Sequence, residues 1–262
     1  MNTKYSLTIG WLYPELMSTY GDRGNIICLK KRCEWRNIGV EINRLELGFK
    51  IYDLRKCDLV FMGGAQDKQQ KIVSRDFSRK KVEALKELVE GGIPGLYICG
   101  AYQFLGKYYK EADGTIIDGL GILDLYTENP GSEFPRLIGN IAVKIYDSRF
   151  KIYKNGEENH KSTLVGFENH GGRTYLGRGI KPLGKVLKGF GNNGEDKTEG
   201  AIYKNSFGSY LHGPILPKNP HLADFLIKLS LEKKYKKNIP NKPLDDNLEH
   251  QTHNFMIKKL QI

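Results

Sequence analysis

The chain has 262 residues, 39% of them hydrophobic and 27% charged, with a formal net charge of +11. That length holds one large α/β domain or two small ones and is enough to bury a substantial core. No apolar run reaches the length of a membrane span, and "MNTKYSLTIGWLYPEL" lacks the charged-then-apolar layout of a secretion signal, which points to a cytoplasmic protein. The positive charge is compatible with nucleic acid, an anionic membrane surface or an acidic partner. Its lysines are spread along the chain, concentrated at 30–32, 79–81 and 232–237, without an RNP-type aromatic motif or C2H2 spacing. Solvated helix faces are the plainer account, and nucleic acid is not expected.

In chain order, "YSLTIG" is predicted as a strand and "GNIICLKKRCEWRNIG" as a helix stopped by Asn37-Ile38-Gly39. "VEINRLEL" is a second strand and "DLVFMGG" a buried strand ending in a diglycine. A long helical region is predicted over about 68–91, closing at Gly91-Gly92, and "PGLYIC" is the next strand. This rhythm predicts a mostly parallel sheet flanked by helices. The later segments "GLGILDLYTEN", "RLIGNIAVKIY", "TLVGFENHGGRTYL", "KVLKGFGNN" and "GAIYKNSFGSYLHG" are short strands on glycine-rich turns, expected as antiparallel additions to the sheet edge. "NPHLADFLIKLSLEKKYKK" is an amphipathic helix, "NIPNKPLDD" a linker and "NLEHQTHNFMIKKLQI" a terminal helix. The expected division is one domain over 1–237 and a linker with a helix over 238–262.

Four cysteines occur, Cys28, Cys33, Cys57 and Cys99, and no two form a C-x-x-C pair. A zinc ribbon and a thioredoxin motif are therefore not indicated. Cys28 and Cys57 fall in core-like patterns, and Cys33 has no distinctive setting. Cys99 differs: it ends the strand "GLYI" and is followed by Gly100 and Ala101. A nucleophile on a tight strand-to-helix turn needs small neighbours, and the following helix points free amides at the thiol, favouring thiolate. The Gly100 amide would face an oxyanion forming on an attacked carbonyl. The competing reading is an inert cysteine ending a core strand.

A thiol nucleophile needs a base. Of the six histidines, His160 is expected in a polar loop, His221 at the opening of a helix, and His250 and His253 one turn apart on a solvated helix face. No metal site is expected. His212, in "YLHGPIL", is delivered by a strand to a Gly-Pro turn, and His170, in "GFENHGGRT", also ends a strand.

The blocks "FMGGAQDKQQ", "ICGAYQFLG", "GFENHGGRTYL", "GFGNNGEDKTEG" and "LHGPILPKNP", in this order over residues 6–235, resemble class I glutamine amidotransferases of the CobB/CobQ-like branch. Within it they resemble the glutaminase subunits of lipid II-amidating enzymes. The resemblance implies a flavodoxin-like α/β fold with antiparallel edge strands. It implies that Cys99 attacks the side-chain amide of L-glutamine to form a γ-glutamyl thioester and that His212 shuttles protons. Gly100, with Gly64 or Ala65, would form the oxyanion hole. Gln103 and Arg136 would hold the substrate, Arg136 by its α-carboxylate, and His170 and Gly171 would line the pocket.

In that family a glutamate usually stands two residues after the histidine, where this chain has Pro214. Either the dyad suffices, or a carboxylate of this chain such as Glu168 or Asp67 reaches His212, or another protein supplies the acid; the resemblance favours the last. No G-x-x-x-x-G-K-[ST] loop is present. No cofactor is therefore expected in this chain, and a stand-alone glutaminase subunit is. ATP and Mg belong to a Mur-ligase-like synthetase subunit, the heterodimer partner, which activates the D-glutamate of lipid II and receives the ammonia to give D-isoglutamine in peptidoglycan synthesis. The complex would bring a cytoplasmic chain to the inner membrane surface. The alternatives are a cysteine hydrolase or peptidase of similar fold, a subunit serving a cobyrinate-like acceptor, and a non-catalytic scaffold.

Overall fold

The structure is a computed structural model that describes residues 3–147, 149, 153–154, 157–158 and 162–262; His160 lies outside the described residues. Strand and helix alternate through the first hundred residues: β1 (Tyr5–Leu12), α1 (Arg23–Glu34), β2 (Ile38–Leu45), α2 (Ile51–Arg55), β3 (Leu59–Met62), α3 (Asp67–Asp76), α4 (Arg79–Glu90), β4 (Gly95–Ile98) and the short α5 (Gly100–Phe104). Every residue of β3 and β4 is buried. Continuous apolar runs of that kind mark strands covered on both faces. The second half adds β5 (Tyr108–Lys110), β6 (Ile116–Asp118), β7 (Leu125–Glu128), β8 (Leu137–Ile145), β9 (Tyr153–Lys154), β10 (Glu157–Glu158), β11 (Thr163–His170), β12 (Arg173–Leu176), β13 (Gly184–Lys188), β14 (Thr198–Glu199), β15 (Ala201–Tyr203) and β16 (Ser206–Ser209). The helices α6 (Ile215–Lys218), α7 (Pro220–Tyr235) and α8 (Asn247–Leu260) follow.

The main sheet has the order β15-β16-β4-β3-β1-β2, and only β15 runs antiparallel to its neighbour. This is the flavodoxin-like doubly wound arrangement, whose ligand crevice lies beyond the carboxyl ends of the strands. The antiparallel segments differ from the sequence expectation. Apart from β15 they do not extend the main sheet but form sheets of their own, β11-β8-β13-β14, β12-β7-β5-β6 and the hairpin β9-β10. A single bridge between Phe167 and His212 ties β11 to the end of the main sheet.

The helical region expected over 68–91 consists of two helices, because the chain turns at Phe77 and Ser78. Phe77 drops into an aromatic cluster with Tyr13, Phe49 and Phe104. Asp76 is held beside it by Tyr13 Oη at 2.7 Å, the Gly48 amide at 2.9 Å and Lys81 Nζ at 2.6 Å.

The basic run at 30–32 is not wholly a solvated face. Arg32 is buried and forms a double fork, with Nε and Nη2 to Asp224 at 2.6 and 2.8 Å and Nη1 and Nη2 to Asp246 at 2.7 and 2.9 Å. Arg36 adds a bond to Asp224 and one to the Lys242 carbonyl. These charges fasten the segment before α8 to α1 and α7. Removing one partner of a buried ion pair strands the other charges, at a cost of about 3–5 kcal/mol. Arg32→Ala should lower stability by about that much in urea unfolding and open residues 240–262 to limited proteolysis. Burial alone would raise the Asp246 carboxyl, but the Arg32 hydrogen bonds outweigh it and hold the group below the usual range. Its contribution is therefore intact above about pH 4 and is lost as the pH falls through the lowered value.

Candidate active site

Cys99 stands between β4 and α5 with φ 49° and ψ −105°, a backbone region that residues with a Cβ rarely occupy. Neighbouring elements hold it there. Its amide donates to the Ser209 carbonyl at 2.8 Å, and its carbonyl accepts from the Gln103 amide at 2.9 Å. The tight turn requires Gly100: a Cβ there would sit 2.8 Å from the Ala65 nitrogen and 3.0 Å from its carbonyl oxygen. The helix that follows is five residues long, so its dipole is a minor source of positive potential at the sulfur.

The nearer source is His212. The residue follows β16, which lies parallel to β4, so the main sheet brings His212 and Cys99 to the same edge. Its ring is fully buried, and Gly64 is wedged beside both residues, its hypothetical Cβ 2.8 Å from His212 Cε1 and 3.4 Å from Cys99 Cβ. Burial opposes a charged imidazole, yet Cys99 and then Asp22 overcome it and push the His212 pKa up to about 10. His212 Nδ1 lies 3.5 Å from Asp22 Oδ1. That leaves Nε2 as the nitrogen for the thiol. The Tyr20 and His212 rings pack in a T-shaped arrangement at a centroid distance of 5.0 Å.

Asp22 was not among the sequence candidates for an acid, and the two that were lie elsewhere. The Glu168 carboxylate accepts from the Phe190 and Gly191 amides at 2.7 and 2.9 Å, with His170, not His212, 3.9 Å away. Asp67 begins α3 and lines the cavity in front of Cys99. Gly64 is also corrected as an oxyanion donor, because its amide is already given to Asp22 Oδ2 at 2.6 Å. Of the alternatives at that turn, Ala65 remains, and it borders the cavity with Cys99.

That cavity, about 400 Å³, gathers Cys99, Ala65, Gln103, Arg136, His170 and Gly171. Arg136 precedes β8 and is fixed by Nε to Asn169 Oδ1 at 2.9 Å and Nη2 to the Asn169 carbonyl at 3.0 Å. Asn169 is itself held by Tyr20, whose hydroxyl accepts from Nδ2 at 2.8 Å. Gln103 is clamped in a buried chain: Gln70 Nε2 donates to its carbonyl at 3.2 Å, and its own Nε2 donates to Tyr210 Oη at 3.1 Å. His170 stacks on Tyr210 at 3.6 Å, and its Nδ1 is 2.7 Å from the Gly172 carbonyl. Burial lowers the His170 pKa, so this ring is a neutral wall of the pocket.

This arrangement is that of a glutamine amidotransferase. Two solved structures share the fold: a glutamine amidotransferase with a TM-score of 0.55 at 15% identity, covering 85% of this chain and 98% of its own, and a glutamine amidotransferase from Thermotoga maritima with a TM-score of 0.51 at 17% identity, covering 97% and 93%. Residues 8–220 match the CobB/CobQ-like glutamine amidotransferase domain, and the chain belongs to that family. Among individual relatives, it is 44% identical over 260 residues to subunit GatD of the glutamine-hydrolyzing lipid II isoglutaminyl synthase of Staphylococcus aureus, spanning 97% of this chain and 96% of that one. The GatD subunit of Streptococcus pneumoniae is 42% identical over 250 residues, spanning 95% and 90%. A probable cobyric acid synthase of Methanothermobacter thermautotrophicus is 34% identical over 173 residues, but these make up only 32% of its length.

The buried imidazolium gives a test that needs no substrate. His212→Asn should slow capture of Cys99 by iodoacetamide at pH 7 by about tenfold or more, since the thiolate is the reactive form. Mass spectrometry of the labelled peptide reads the rate, and native labelling kinetics in the variant would break the link between the two residues.

Proposed function

We propose that this chain is the glutaminase subunit of a lipid II-amidating synthetase. The observation that carries the reading is a thiol, backed by a buried imidazole, at the floor of a cavity that also holds an arginine and an aspartate. A cavity with charges of both signs, Arg136 and Lys68 against Asp67, suits the zwitterionic end of a free amino acid. A peptidase cleft would have to take an uncharged main chain, so the geometry favours glutamine over a peptide.

The Cys99 thiolate attacks the carboxamide carbon of L-glutamine, and the Ala65 and Gly100 amides receive the developing oxyanion. The tetrahedral adduct collapses as His212 gives its proton to the departing nitrogen. Ammonia leaves, and a γ-glutamyl thioester remains on Cys99. Water then attacks the thioester while His212 takes the water proton. Glutamate leaves and the thiolate–imidazolium pair is restored. Arg136, with two nitrogens committed to Asn169, keeps Nη1 for the substrate α-carboxylate, and Asp67 takes the α-ammonium. Gln103 and His170 shape the wall.

The two GatD relatives match across nearly the whole chain, which supports assigning the same role here. The ammonia then passes to a Mur-ligase-like, MurT-like partner, which binds ATP and Mg and converts the D-glutamate of lipid II to D-isoglutamine for peptidoglycan. Among the described residues no helix is long and apolar enough to cross a membrane, and the complex would work at the cytoplasmic membrane surface.

The test is glutamate release from L-glutamine by the purified chain beside Cys99→Ala, with and without the synthetase subunit. Release that disappears in the variant supports the reading; silence in both conditions removes it. In the same assay Arg136→Ala should raise KM about 10- to 100-fold with a smaller change in kcat, the size expected for one lost charged hydrogen bond.

A further inference from the structure

A carboxylate offers about four acceptor positions on its two oxygens. In the cavity, Arg136 can fill only part of that set. Its side-on pair of nitrogens is already used, Nε on Asn169 Oδ1 at 2.9 Å and Nη2 on the Asn169 carbonyl at 3.0 Å. Nη1, on the side of Gly171, is left for a ligand. A substrate α-carboxylate drawn out of water therefore needs a further donor at this end of the cavity.

The Asn169 amide identifies it. Arg136 can only donate, so Asn169 turns its side-chain oxygen toward Nε and its nitrogen the other way. That nitrogen donates to Tyr20 Oη at 2.8 Å. The phenol is the acceptor in this bond, and its own proton is given to no described residue. Tyr20, Asn169 and Arg136 all line the cavity. One side-chain amide thus sets the spacing between a guanidinium and an uncommitted hydroxyl.

The backbone of Tyr20 is unusual for so large a residue. It has φ 57° and ψ 29°, the left-handed region that glycine or asparagine takes more readily, and the side chain is 47% exposed. Its contacts hold it there: the T-shaped packing on His212, the bond from Asn169, and the neighbouring Thr19 amide donating to the Gly64 carbonyl at 3.0 Å. Residues kept in sparse backbone regions by their surroundings cluster at ligand clamps.

We propose that the Tyr20 hydroxyl is a second donor to the substrate α-carboxylate, beside Arg136, and so a specificity residue for a free amino acid. The inference rests on the glutaminase reading of Cys99 and His212 and deepens it by naming how the far end of the substrate is recognised. Lys68 is the competing donor at the cavity. It is exposed on α3 beside Asp67, and among the described residues no contact ties it to Arg136 or Asn169. The phenol is a neutral donor, so it adds a bond to the carboxylate without changing the balance of charge that Asp67 and Arg136 set for the zwitterion.

The test is ammonia release from L-glutamine and from its α-amide, with the synthetase subunit present, by the native chain and by Tyr20→Phe. The α-amide has the same reacting side chain but no α-carboxylate. Phenylalanine keeps the ring against His212 and removes only the hydroxyl, so kcat for L-glutamine should stay within threefold and the thermal melt should not move. KM for L-glutamine should rise about tenfold or more, the size of one lost hydrogen bond to a charged group. For the α-amide, kcat/KM should change less than threefold, so the preference for glutamine narrows. Where the α-amide turns over too slowly to measure, its inhibition constant against L-glutamine replaces kcat/KM, with the same expectation. A purely structural role would weaken both substrates alike. Equal losses on the two substrates, or a native KM for L-glutamine in Tyr20→Phe, would overturn the proposal, as would a narrowed preference in Lys68→Met that Tyr20→Phe does not show. A native chain that releases no ammonia from L-glutamine removes the glutaminase reading itself, and the role of Tyr20 with it.

Discussion

The 2.6 Å hydrogen bond from the Gly64 amide to the Asp22 carboxylate joins the parts of the site that the chain supplies from distant positions. It draws the turn before α1 onto the loop after β3, and it does so out of water, where such a charge-assisted bond is strongest. The imidazole lies against one side of that junction. The Ala65 amide, the next along the same loop, faces the Gly100 backbone on the thiol's side. Without the junction, the carboxyl edge of the sheet would still present a thiol and an imidazole, but nothing would set their angle or close the space behind them.

Division of labour between the sheets follows. The parallel sheet carries the reacting side chains, Cys99 at the end of β4 and His212 just beyond β16. The antiparallel sheets bring Arg136 and His170 to the cavity, whereas Asp67 and Gln103 reach it from α3 and α5. Arg136 precedes β8, and His170 ends β11, where it pairs with Leu137. The two are joined at the Phe167–His212 bridge and by Tyr20, which touches both the imidazole and Asn169. Arg136 and the imidazole are thus fixed through shared contacts.

Much of this was legible in the sequence because it follows from local rules. The buried runs of β3 and β4 read as strands of a covered parallel sheet, and a thiol after "GLYI" with two small residues behind it reads as a tight elbow. His212 was found because it too ends a strand. Asp22 was not, because "YGDRGN" has the appearance of an ordinary helix start; its one distinguishing property, a cap residue that does not cap, exists only in three dimensions. The same holds for Gly64, whose amide is spent on a residue 42 positions away. The break at Phe77 was hidden because 68–91 keeps helical spacing throughout, and the aromatic pocket that pulls Phe77 inward is assembled from Tyr13, Phe49 and Phe104. Arg32 was lost in a basic run that looks solvated, since nothing local reveals the two aspartates waiting beyond position 220. The antiparallel strands were found as strands, but their assembly into separate sheets depends on register, which the turn glycines alone do not specify.

The backbone at Cys99 also bears on the chain before it is folded. Its φ of 49° is a conformation that an L-residue avoids at a cost of order 1–3 kcal/mol, and here it persists only because β16 and α5 grip the amide and carbonyl on either side. A chain in which those two contacts have not formed has nothing to hold Cys99 in that region. Only the completed sheet therefore holds the thiol in this conformation, at the edge it shares with His212.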